Sequence, residues 1–123
     1  QASKQGREYE QAVQFLLRAE GWTIEDIRAV VAGAEIDIIA IDPQGIRWWI
    51  ECKGSHRGKT PGAKRGDTAK KAVGVAAYLS TLPDRQHYML ITSHLPKEDS
   101  IAGRMLNGGV PETMDVSEAW KPE

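Results

Sequence analysis

"EIDIIAIDPQGIRWWIECKG", residues 35–54, is the stretch that decides the fold. It opens as a β-rich run carrying Ile36, Ile38, Ile39 and Ile41, then reaches "DPQG", where Pro43 and Gly45 are a strong turn signal. "IRWWIECKG" follows as the antiparallel partner, so the stretch predicts a hairpin in the middle of a mixed sheet. Its second arm ends on an unusual combination. Glu51, Cys52 and Lys53 come directly after three large apolar side chains, and Gly54 stops the run.

Before the hairpin, "GREYEQAVQFLLRAEGW" spaces Tyr9, Val13, Leu16 and Leu17 as the apolar stripe of an amphipathic helix, with Gly21 as its C-terminal stop. "WTIEDIRAVVAG" alternates as a strand whose pattern slips near Asp26. After the hairpin, residues 56–67 mix basic side chains with Gly58, Pro61, Gly62 and Gly66, which reads as a loop. "DTAKKAVGVAAYLSTL" then predicts a capped helix ended by Pro83, "HYMLITSHL" a buried strand, and "KEDSIAGRML" a short helix or turn. The tail from Asn107 is too rich in Gly and Pro to place. The order is helix, three strands, helix, strand: an α/β sandwich whose last helix links the hairpin to a parallel strand.

At 123 residues the chain is expected to form a single domain over residues 1–123. Hydrophobic residues make up 41% and charged ones 27%, which excludes a disordered chain. No apolar run is long enough to cross a bilayer, and Gln1 to Glu10 carry no signal-peptide pattern, so a cytoplasmic protein without membrane contact is expected. A first residue other than methionine points to trimming. The lone Cys52 cannot form an internal disulfide and reads as a small core hydrophobe. Net charge is −1, yet Lys53, Arg57, Lys59, Lys64, Arg65, Lys70 and Lys71 face a single acid, Asp67, within residues 53–71. Such asymmetry attracts a polyanion, although a solvated loop would carry the same charges.

Alternation in a strand puts Glu51 and Lys53 on one face with Trp49 and turns Asp37 away from Ile36 and Ile38. Pairing around "DPQG" lets Asp37 and Glu51 converge, with the backbone carbonyl of Cys52 in reach. Two carboxylates and a carbonyl are hard oxygen donors suited to Mg²⁺ or Mn²⁺, and a cation resolves the repulsion between the acids. Lys53 can then orient a water at the metal or stabilise charge building on an attacked phosphate. Glu10, on the first helix, is the outer acid. Glu8 competes with it but should point about 160° away, and Glu35 shares the strand face of Asp37.

These residues resemble the PD-(D/E)xK nuclease superfamily, with its restriction-endonuclease-like fold, and within it Mrr-type restriction enzymes and archaeal Holliday-junction resolvases. The likeness rests on "GREYE" with Gly6 and Glu10, "EIDIIA" with Asp37, and "IECKG" with Glu51 and Lys53, with thirteen residues between Asp37 and Glu51. It covers roughly residues 6 to 94 and implies an αβββαβ core, a mixed central sheet flanked by helices. It also implies Mg²⁺-dependent phosphodiester hydrolysis, with Asp37 and Glu51 as ligands and Lys53 as the catalytic lysine. Two features depart from the pattern. Gly74 stands where related nucleases often carry a Gln four residues before a Tyr, here Tyr78, and Ile36 replaces the proline that names the motif.

The leading expectation is an endonuclease acting on DNA, with Arg57, Lys59, Lys64, Arg65, Lys70 and Lys71 contacting the phosphate backbone. The alternatives are a module that grips nucleic acid without cutting it, or a nuclease-fold subunit of a larger recombination or repair complex. Dimerisation would make double-strand cutting simple. The bland reading of the motif is an ion pair from Lys53 to Glu51 or Asp37 at a strand end. His56, His87 and His94 have no metal-ligand spacing, and Trp48 and Trp49 read as sheet packing.

Overall fold

A computed structural model describes residues 4–54, 66–108, 112 and 114–119. The chain order is α1 (Lys4–Ala19), β1 (Thr23–Val31), β2 (Ala34–Ile41), β3 (Arg47–Lys53), α2 (Gly66–Leu79), β4 (His87–Thr92), α3 (Ile101–Gly108) and β5 (Met114–Glu118). The strands form one sheet in the order β1-β2-β3-β4-β5. β1, β2 and β3 are antiparallel neighbours, whereas β3, β4 and β5 run parallel. Among the described residues no helix is long and apolar enough to cross a membrane.

Each face of the sheet carries its own core. Tyr9, Val13 and Leu17, spaced four apart on α1, pack on Ile38, Ala40, Ile50, Cys52 and Ile91. Burying such side chains contributes about 1.5–3 kcal/mol each, so this stripe is what holds the helix down. On the opposite face α2 supplies Ala69, Ala72, Ala76 and Leu79, and α3 supplies Ala102 and Leu106, against Trp49, Tyr88 and Leu90. The small residues of α2 also let it pack against α3.

α1 ends where Gly21 takes a φ of +92° and Trp22 N–H donates to Leu17 O at 2.9 Å, a glycine-dependent stop. The slip near Asp26 is a register shift between Ile24 and Asp26. In the "DPQG" turn, Asp42 Oδ1 accepts from the N–H groups of Gln44 and Ile46, both at 2.9 Å. Trp48 packs as expected, with Trp22 and His87 rings at 6.1 and 4.8 Å.

The tail differs from the sequence reading. Residues 114–118 form β5, which pairs with β4 from Tyr88↔Met114 to Thr92↔Glu118. "MDVSE" is short and half polar, so its strand character comes from the waiting edge of β4 rather than from its own pattern.

β1 and β2 are joined by the two residues Ala32 and Gly33, at φ +50° and +86°, between the paired Val31 and Ala34. Positive φ at both positions is the tight hairpin turn that favours Asn-Gly, and alanine there is strained. Ala32→Asn is therefore expected to raise the unfolding free energy by about 0.5–1 kcal/mol. An unchanged or lower midpoint in urea would contradict this.

Candidate functional site

β2 and β3 part beyond the pair Ile38↔Ile50, and the site is built where they diverge. β2 pairs with β3 from Ile41↔Arg47 to Ile38↔Ile50, and its pairing with β1 runs through Ile27↔Ile38 and Ala29↔Ile36. Asp37 appears in neither ladder. The residue that would face it, Arg28, has a φ of +54° inside β1. Ile36 packs in the α2-side core and Ile38 in the α1-side core, although regular alternation would set both on one face. The facing of the strand thus changes at Asp37. Its carboxylate takes over as a backbone partner: Cys52 N–H donates to Asp37 Oδ2 at 2.8 Å.

A cleft of about 780 Å³ lies at this divergence. Its walls bring together Asp37 from β2, Glu51, Cys52 and Lys53 from β3, and Glu10 from α1. Asp37 and Glu51 are each 9% exposed and Glu10 is 4% exposed. Glu35 lines the cleft as an exposed residue, while Glu8 does not line it. Lys53 Nζ stands 3.5 Å from Glu51 Oε2, so the ion pair of the bland reading is present alongside the carboxylate pair. With its side chain 37% exposed, that lysine contributes little stability through the pair.

All three buried acids hold their protons more tightly than usual. Burial pushes Glu51 up to about 8, helped by the charge of Asp37 and opposed by Lys53 and Lys71. Burial also raises Asp37, against the Cys52 N–H, Lys53 and a hydrogen bond with Glu51. Glu10 rises through burial and then Asp37, with Arg28 and Lys53 acting the other way. Glu10 Oε1 is buried without a hydrogen bond, its nearest cation being Arg28 Nε at 3.6 Å. Burial, more than any shortage of cations, is what disfavours the charged forms of the acids, and a hard divalent ion suits a donor set of carboxylates. Among the described residues no group of three or more His, Cys, Asp or Glu side chains is placed to hold a metal. What the cleft offers is a carboxylate pair, the sparse kind of set that Mg²⁺ accepts with its waters.

Of the expected phosphate contacts, Lys71 on α2 lines the cleft and Lys70 is exposed beside it. Arg57, Lys59, Lys64 and Arg65 lie outside the described residues, as does His56. Sequence reasoning missed Arg7 and Arg28, which also line the cleft. Arg28 carries no sequence signal, because its position depends on a left-handed residue inside a strand. Tyr78, expected to lack a polar contact to residue 74, instead donates its hydroxyl to Ala32 O at 2.7 Å.

Gly54 also lines the cleft. A Cβ there would stand 2.8 Å from Ser93 N, which itself donates to Lys53 O at 3.3 Å. Gly54→Ala must push the ends of β3 and β4 apart, with an expected cost of about 1–3 kcal/mol. An unchanged denaturation midpoint in that variant would show that the two strand ends yield freely.

Three solved structures share this architecture over the whole of the chain. A repair endonuclease from Pyrococcus abyssi superposes with a TM-score of 0.59 at 12% identity. EndoMS in complex with double-stranded DNA gives 0.58 at 16%. The fold is a restriction-endonuclease-like core. A protein of unknown function from Silicibacter pomeroyi gives 0.53 at 19% and is covered over 70% of its length. The chain spans about half the length of the two endonucleases, 50% and 48%. No protein family matches the chain by sequence, and no curated protein matches it.

Proposed function

We propose that the chain is a PD-(D/E)xK-type, metal-dependent endonuclease that hydrolyses phosphodiester bonds in DNA. The observation that carries this reading is the convergence of Asp37, Glu51 and Lys53 on one cleft where β2 and β3 part. The architecture shared with two endonucleases, one of them in complex with double-stranded DNA, supports the substrate class.

Asp37 and Glu51 would hold Mg²⁺ or Mn²⁺, with the Cys52 carbonyl and Glu10 as further oxygen donors. The ion would supply Lewis-acid polarisation of the phosphate and a lowered pKa for water. The chain's own residues do the rest. The Asp37 carboxylate is held in place by the Cys52 N–H, so it cannot swing out of the cleft without breaking that bond. Lys53, at the more exposed side, orients the attacking water and meets the charge developing on the phosphate. Arg7, Arg28 and Lys71 offer guanidinium and ammonium groups around the cleft for neighbouring phosphates, a contact that fixes position without reading bases.

The test is cleavage of plasmid and linear duplex DNA with Mg²⁺ or Mn²⁺, comparing the native chain with Lys53→Ala and Asp37→Ala. Metal-stimulated cutting should be lost in both variants, and cutting unchanged in both would refute the reading. A second reading is favoured by length, since the chain matches only half of each endonuclease. On that reading it is the nuclease part of a larger assembly, and cleavage appears only when a partner is added.

A further inference from the structure

Tyr88 sits on β4 as the register partner of Trp49 and is 1% exposed. Its ring belongs to the core beneath α2, while the residue also lines the cleft. The hydroxyl is buried and makes no hydrogen bond among the described residues. Buried phenols normally find a partner, and one left unmade carries the desolvation cost of the group. A phenylalanine would fill the same apolar space without that cost.

The fold treats its other fully buried phenol differently. Tyr9, on the opposite face of the sheet, donates its hydroxyl to Ala119 O at 2.7 Å. Among the described residues the one other buried side-chain atom without a hydrogen bond is Glu10 Oε1, which lines the same cleft as Tyr88. The two residues that carry such atoms thus line one cleft, and of the two atoms only Glu10 Oε1 has a charged neighbour, Arg28 Nε at 3.6 Å. That coincidence calls for a shared cause.

Placement identifies the group that the phenol would serve. Glu51 lies two residues beyond Trp49 on the same face of β3, so it is the diagonal neighbour of Tyr88 across the parallel pair. The electrostatics agree, since the phenol is held above its usual pKa first by burial, then by Glu51 and then by Asp37. Glu51 Oε2 is turned toward Lys53 Nζ. A carboxylate that gives one oxygen to a hard cation keeps a second oxygen needing a donor, and such outer partners set its orientation.

We infer that the Tyr88 hydroxyl is a positioning donor for the Glu51 carboxylate when a divalent cation is bound, an assignment that rests on the metal-site reading above. Tyr88 touches neither the cation nor the DNA. Its effect reaches the cleft through Glu51, so it acts on metal affinity before it acts on chemistry.

The experiment compares the native chain with Tyr88→Phe by Mn²⁺ titration calorimetry, Mn²⁺ electron paramagnetic resonance and thermal unfolding in chelator. The expected result is a thermal midpoint in chelator that is unchanged or higher, together with Mn²⁺ affinity weakened about 10-fold or more and a changed resonance line shape. Equal Mn²⁺ affinity in the two proteins overturns the assignment. So does a clearly lower midpoint in chelator, because the hydroxyl would then have a structural partner. Failure of the native chain itself to bind Mn²⁺ is a different result, which removes the metal-site reading and this assignment with it.

Discussion

Lys53→Ala is expected to lower metal-stimulated DNA cleavage by about 10²- to 10³-fold while leaving the fold intact, the scale seen when one electrostatic stabiliser of a transition state is removed. The side chain is part-exposed, and its pair with Glu51 is long, at 3.5 Å, so little stability rests on it. Asp37→Ala should cost at least as much activity and also stability, because it leaves the Cys52 N–H without its 2.8 Å acceptor in a buried place. The two variants therefore separate chemistry from architecture. Single-turnover cleavage and urea denaturation of both, measured side by side, check the contrast. Equal destabilisation of the two variants would show that Lys53 is a structural residue.

The second large effect is on stability as pH changes. Glu51 keeps its proton in the folded chain up to about 8, against an unfolded value of 4.5. Between those values the folded state binds more protons than the unfolded state, so stability falls as pH rises. The contribution is fully present below about 4.5 and lost as pH passes through about 8. For Glu51 alone the full span is worth on the order of 5 kcal/mol, a large share of the stability of an ordinary domain. Asp37 and Glu10, also raised, add in the same direction. In chelator the unfolding free energy should decline from pH 5 to pH 8, and Glu51→Gln should flatten most of that decline. Saturating Mg²⁺ or Mn²⁺ should restore stability at pH 8, since a ligand that binds only the folded state stabilises it. A flat profile in chelator would mean that Glu51 ionises normally and that the acids are not crowded.

Much of the framework was legible in the sequence. The Pro43–Gly45 turn announced the hairpin, the alternation lapse near Asp26 corresponds to a true register shift, and the apolar spacing of residues 67–79 predicted a helix packed on the sheet. Each is a local signal, carried by turn chemistry or by side-chain period. β5 was not legible, because Met114–Glu118 is a strand only by virtue of its neighbour β4.

The site divides in the same way. Asp37, Glu51, Lys53 and Glu10 stood out because their types and spacing carry chemistry, and the cleft does bring them together. What strand alternation could not foresee is how. It predicted that Asp37 would face opposite to both Ile36 and Ile38, whereas those two isoleucines enter different cores and Asp37 marks the change between them. Arg28 and Tyr88 escaped notice for a related reason. One depends on a left-handed residue within a strand, and the other on a missing hydrogen bond inside an apolar run.

The most direct test of the account is a crystal of the chain grown or soaked with Mn²⁺ and measured for anomalous scattering. The account predicts a peak in the cleft with carboxylate oxygens of both Asp37 and Glu51 at about 2.0–2.3 Å, a distance proper to a small hard cation. A well-ordered crystal in which Mn²⁺ binds elsewhere, or in which the cleft acids stay hydrogen-bonded to each other at saturating Mn²⁺, would contradict it.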